Sequence, residues 1–268
     1  MCLFSKNRSI SIQGRCGPPF VASNSVVRTI WGSSDMVLFI FAAASAEFAV
    51  NKSVDWLFYT GKLPADPLGR MFSTVTYARS IIFSDNDGAL AAIDSIAAIH
   101  RGVEERRGQT IPQWAYRDVL YMLIAHSITA HTLLKGPLTE ASCAEVFAVF
   151  RRVGEHMGIE GIPDNYTAWG ADREEHINRD LSAGVYTTTL FASYRRHLGP
   201  VRFMLLRQVQ AIMLPPAIAL MTETKAVPGF GTVIKCYCMI RSTSIAHWLK
   251  NMLLPGAYRM QIRAIDVA

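Results

Sequence analysis

From residue 35 to about residue 220, apolar side chains recur every three or four positions in long blocks, separated by capping and breaking residues. That spacing lays one apolar stripe along each helix. Helices of this kind must pack on one another, because each stripe needs another to cover it. Strand-like alternation is scarce before residue 225, and "GTVIKCYCMI" at 231–240 reads as a lone strand. The sequence therefore predicts an all-α protein with a single helical domain.

Local signals divide the chain. Residues 1–28, rich in Ser, Asn and Gly, predict a poorly ordered leader, and 29–224 the helical domain. Residues 225–268 form an extension that the pattern does not place. One helix is expected from Asp35 to about Thr60, capped by Ser34 or Asp35. Pro67 starts a second, to about Phe83, since a first-turn proline loses no hydrogen bond. "SDND" stops that helix and caps the next, about 86–107. Further helices are expected over 115–134, from Thr139 to about Met157, over 170–197, and from Pro200 to the interruption at "MLPP".

Half of the residues are hydrophobic, 18% are charged and the mean hydropathy is +0.20, a composition that fills a core and excludes a disordered chain. The net charge of +6 comes from scattered Lys and Arg without interleaved aromatics, so no nucleic-acid partner is expected. A mildly basic surface suits peripheral contact with anionic lipid. The run "MVLFIFAAASAEFAV" at 36–50 contains Glu47 and is short for a membrane span, so it reads as a buried helix. The N-terminus has no continuous apolar stretch, and the five cysteines have no framework spacing. The expectation is an intracellular protein, cytoplasmic or membrane-associated and not secreted, with reduced thiols.

Phosphate-binding glycine loops, HExxH and GxSxG are absent, and no histidine follows a glutamate by three residues. The imidazoles that stand out are His100 and His126. His100 shares its helix side with Ile93, Ile96, Ala97 and Val103; His126 shares its side with Val119, Met122, Leu123 and Ala130. Two readings stand for each: a core histidine bonded to a carbonyl, or a ligand to a metal or haem iron. Arg70 and Thr74, four apart, lie on one helix face and read either as a surface pair or as a polar cluster facing a pocket.

The ordered set Arg70-x-x-x-Thr74, "AAIHRGV" with His100, "WAYRDVLYMLIAHS" with Tyr116, Asp118 and His126, "GPLTEAS", "FRRVGEHMGI" and "IMLPP" resembles the MpaB and latex-clearing-protein family of haem-dependent oxygenases. The resemblance implies a globin-like helical domain around one haem b, with His100 as the proximal iron ligand. Arg70 and Thr74 match the family's residues near the distal side. It implies oxidative C=C cleavage with O2 on an apolar alkene or isoprenoid-type substrate. The chain departs from the rubber-cleaving members at Ser73, where they carry lysine, and shows no aligned catalytic glutamate. Asp55, or else Glu47, is the carboxylate available as a base, and His126 is a second haem-binding candidate. The rival functions are a haem enzyme of another class, peroxidase-like or repurposed for biosynthesis, and a non-enzymatic helical lipid- or partner-binding protein.

Overall fold

The computed structural model of the chain describes residues 17–61, 65–241, 243–244 and 256–266. The fold is all-α, and the described residues contain no strand beyond two isolated bridges, Pro19 with Asp85 and Asn51 with Leu181. Its helices are α1 (Val26–Trp31), α2 (Ser34–Ala49), α3 (Asp55–Tyr59), α4 (Pro67–Ile82), α5 (Asn86–Arg107) and α6 (Gln113–Lys135). They continue as α7 (Glu140–His156), α8 (Tyr166–Asp180), α9 (Val185–Met213), α10 (Pro216–Met221), α11 (Phe230–Ile240) and α12 (Arg259–Arg263).

The centre is α2, which α6 and α9 flank. Its sequence is apolar almost all round, and Ala43, Ala46 and Ala49 are completely buried, so neighbouring helices can approach closely. Trp31, also completely buried, meets Phe41 edge-on and donates its indole N–H to Ser127 Oγ on α6 at 3.2 Å. On the other side, Gln210 of α9 donates to Ala42 O at 3.0 Å and Ser45 Oγ at 3.1 Å. The α4–α5 hairpin packs beside this centre. Asp66 caps α4 ahead of Pro67, and Asp85 caps α5.

Several expectations are corrected. The helix expected from Asp35 to Thr60 stops at Ala49, because Asn51 Oδ1 takes the backbone N–H of Ser53 at 2.8 Å and folds the chain into a turn. The backbone there pairs instead with the strip after α8: Ser182 N–H donates to Val50 O at 2.6 Å, and Lys52 N–H to Asp180 O at 3.0 Å. The same pairing splits the helix expected over 170–197 into α8 and α9, with Leu181 extended and buried at the break. Past Gly199, whose φ of 74° suits only glycine, α9 resumes at Pro200 after a kink.

Residues 1–16 of the expected leader lie outside the described residues. Within 17–28, however, Phe20 and Val21 are core residues and α1 has begun, capped by Ser25. The expected strand at 231–240 is helix α11. Helical spacing lets it set Ile234, Tyr237 and Cys238 against the core, which alternation would not.

The described end of the chain is built into the fold. Ile262 and Ile265 are buried, Tyr258 stacks on Phe72 at 4.6 Å, and Asp266 receives Ser34 N–H at 2.8 Å and Ser34 Oγ at 2.6 Å. Asp266 thus helps Ser33 cap α2 from a distance. Asp266→Ala is expected to cost about 1 kcal/mol and lower the melting temperature by a few degrees, as a lost cap does. Thermal unfolding followed by circular dichroism checks this. No helix among the described residues is long and apolar enough to cross a membrane.

Candidate functional site

Two polar centres lie inside this apolar framework. The first lies between α4, α5 and α6. Arg70 and Thr74 stand one turn apart on α4; Thr74 Oγ1 donates to Arg70 O at 3.2 Å and Ser73 Oγ to the same carbonyl at 2.7 Å. His100, on α5, puts its ring against Tyr116 of α6, the centroids 5.3 Å apart and the planes at 60°. Glu104, one turn beyond His100, accepts Ile111 N–H at 2.8 Å and Tyr116 O–H at 3.3 Å, which fixes the α5–α6 turn.

His100 Nδ1 is buried and has no hydrogen-bond partner. No described residue bonds the other ring nitrogen either, so the reading of His100 as a core histidine bonded to a carbonyl is not met. Burial first, then the nearby Arg70 charge, push its pKa down to about 4 against the opposing pull of Glu104. The ring is therefore neutral at neutral pH. Arg70 is itself half-buried, desolvation lowers its pKa, and among the described residues its guanidinium has no acceptor. A neutral imidazole and a cation without an anion thus lie close enough for the charge of one to act on the other.

Asp55 stands at the start of α3 and gives one carboxylate oxygen, Oδ2, to Arg107 at 2.6 Å. Arg107 lies 4.1 Å over the Trp56 ring, and Tyr59 O–H bonds Arg106 O at 2.8 Å. These contacts latch α3 to the far end of α5, about two turns from His100.

The second centre holds His126. It is ten residues beyond Tyr116 on α6, about 15 Å along the axis. Its Nε2 meets Glu47 Oε2 at 2.8 Å, and Arg173 of α8 clamps both Glu47 oxygens at 2.9 and 2.8 Å. All three side chains are buried. Burial alone would raise the Glu47 pKa, but the charge and hydrogen bonds of Arg173 and His126 prevail and hold it at about 2. Glu47 is therefore a fixed anion and a poor base.

Beside it, Asp118 accepts His176 Nδ1 at 2.5 Å and Asn51 Nδ2 at 2.8 Å. Burial, outweighing those bonds, raises the Asp118 pKa. Glu47, Asn51, Asp118 and Met122 line a small crevice between the two groups.

Arg173, His176 and Asp180 fall in the helix expected over 170–197 and belong to none of the motifs picked out from the sequence. The signal available was their spacing, which puts them on one side of α8 with Trp169, and the carboxylate of Glu47 within an apolar run.

A family model described as ER-bound oxygenase mpaB/B'/Rubber oxygenase, catalytic domain, matches residues 31–228. No curated protein and no solved structure matches the chain. The matched span contains both polar centres and stops before α11, so the end of the chain that caps α2 lies outside it.

Proposed function

The chain belongs to this mpaB and rubber oxygenase family, and from that premise we propose a haem b-dependent oxygenase that cleaves a C=C bond of an apolar alkene or isoprenoid-type substrate with O2. One observation carries the reading: the partnerless, neutral imidazole of His100 beside the anion-free guanidinium of Arg70. Iron takes the neutral form of imidazole, and a propionate is the kind of planar carboxylate that a guanidinium binds. These residues fit the group.

Bound haem supplies the activation of dioxygen. The chain's own residues do the rest. His100 holds the iron from α5, and Tyr116 packed on its ring fixes the ring's orientation. Arg70 binds and orients the group from α4. Thr74, one turn on, presents a hydroxyl to the same space. The apolar face of α6 excludes water. Asp55, near the far end of α5, with one oxygen uncommitted and a side chain about a third exposed, takes a proton from substrate that reaches it. Glu47 does not, because Arg173 and His126 engage both its oxygens.

Incubation of reconstituted protein with an isoprenoid alkene under labelled dioxygen tests the reaction. Labelled carbonyl products are expected, and their absence would refute it. For Arg70→Ala, haem affinity is expected to fall about tenfold to a hundredfold, the worth of one charge-assisted hydrogen bond. Arg70→Lys should recover part of that loss in a haem titration.

The family description names ER-bound members, and we extend peripheral membrane contact to this chain. Exposed Val233, Met239 and Ile240 lie on α11 near Lys235, on a chain of net charge +6. Flotation with anionic vesicles, lost at high salt, is the expected result; no flotation at any ionic strength would contradict it.

A further inference from the structure

We propose that Asp118, His176 and Asp180 form a binding site for one divalent transition-metal ion, of the zinc or manganese class, separate from the His100 pocket and clamping α8 to α6. One ligand atom from each of the three residues lies within 4.8 Å of the others, and all three residues are buried. His176 and Asp180 are four apart on one face of α8, and Asp118 meets them from α6. His176 Nδ1 is 2.5 Å from Asp118 Oδ1 and 3.2 Å from Asp180 Oδ2. Metal–ligand bonds of about 2.1 Å place tetrahedral ligand atoms roughly 3.4 Å apart. One spacing already fits, and the other opens by about 1 Å.

The charges and the unused atom support a cation there. Asp118, Asp172 and Asp180 surround a single imidazole, yet the guanidinium bonded in this group is Arg179, on Asp180 at 2.8 and 3.0 Å. Arg173 is committed to Glu47. Asp118 therefore faces burial with an amide and the imidazole as its partners. A proton on Nδ1 satisfies the two carboxylates, but it leaves His176 Nε2 buried without a hydrogen bond.

A metal ion on Nδ1 removes the first fault and assigns Nε2 its proton, which a shift of about 0.5 Å then brings within hydrogen-bond reach of Asp172. It neutralises the two carboxylates and leaves the ring proton on Nε2, which points to Asp172 Oδ2 at 3.7 Å. Tyr121 O–H already holds that oxygen at 2.6 Å. A carboxylate behind a ligating imidazole is the usual support of a histidine metal ligand. The carboxylate–imidazole mixture suits zinc and manganese.

The test is equilibrium dialysis of the full-length haem-loaded protein against Zn²⁺ or Mn²⁺, then elemental analysis with iron counted separately. About one equivalent of non-iron metal per chain is expected. Asp180→Asn and His176→Gln should each weaken binding at least tenfold with the helical circular dichroism retained. Zinc-edge X-ray absorption should show nitrogen and oxygen ligands including imidazole. No metal retained by the wild-type chain, equal retention in both folded variants, or sulfur ligation from Cys236 and Cys238 would each overturn the proposal. Should the variants fail to fold, the wild-type stoichiometry and absorption edge decide. The zinc count does not depend on whether the chain binds haem.

Discussion

Alanine at His100 is expected to give a folded protein that no longer holds haem and has only background oxygenase activity. The side chain leaves behind no bonded partner, because Nδ1 is already without one. Removing an unsatisfied buried nitrogen costs little, so apoprotein stability should change by less than about 1 kcal/mol. Loss of haem without loss of fold separates a ligand from a plain core histidine. The measurement is a haem titration followed by absorbance, beside urea unfolding of the apoprotein. Unchanged haem content would refute the ligand assignment. The pKa of about 4 adds a pH signature. An ordinary histidine is half protonated near pH 6.5, but this ring stays neutral, so haem affinity should hold at pH 5.5 and begin to fall only below about pH 4. The depressed value also means that apoprotein stability is fullest above pH 6.5 and declines towards pH 4.

Glu47→Gln is expected to produce the largest stability loss, about 3–5 kcal/mol, because it leaves Arg173 a buried cation without its anion. In a domain of this size that lowers the melting temperature by about 10 °C. The pH dependence should change as well. The Glu47 carboxylate sits at about 2 in the fold against an ordinary value of 4.5. Its stabilisation is present above pH 4.5 and lost as pH falls through 4.5 towards 2, in total about 3 kcal/mol. Glu47→Gln should flatten that acid limb in denaturant titrations. Replacing both partners with apolar residues, Glu47→Leu with Arg173→Met, should recover much of the loss, since neither charge is then stranded. A double variant no more stable than Glu47→Gln would contradict this account of the Glu47–Arg173 pair.

The helices with local signals were legible. Asp66 with Pro67, Asp85 and Thr139 place the starts of α4, α5 and α7, because caps and first-turn prolines act on neighbours in sequence. The break at 50–54 and the one at 181–184 were not. Each depends on the other, through Ser182 N–H on Val50 O, and no local pattern encodes a pairing that distant. The strand reading of 231–240 failed because alternation and helical spacing coincide over so short an apolar run, and packing of Ile234, Tyr237 and Cys238 decided between them.

At the site, periodicity alone set His100 on an apolar stripe and Arg70 with Thr74 on a shared face. That the Arg70 charge acts on His100 is a property of the α4–α5 packing, which only the family likeness implied. The Arg173–His176–Asp180 face was hidden for a different reason. A polar stripe normally faces water, and here it faces the core because Glu47 and Asp118 wait for it on α2 and α6.

The proposed function requires that this chain hold one haem with His100 and Arg70. Its most direct test is the optical absorption spectrum of the wild-type protein during titration with haem. The account predicts a sharp Soret band that saturates at one haem per chain, with the band lost in His100→Ala. A protein that stays colourless after titration, or a band unaffected by His100→Ala, would contradict it.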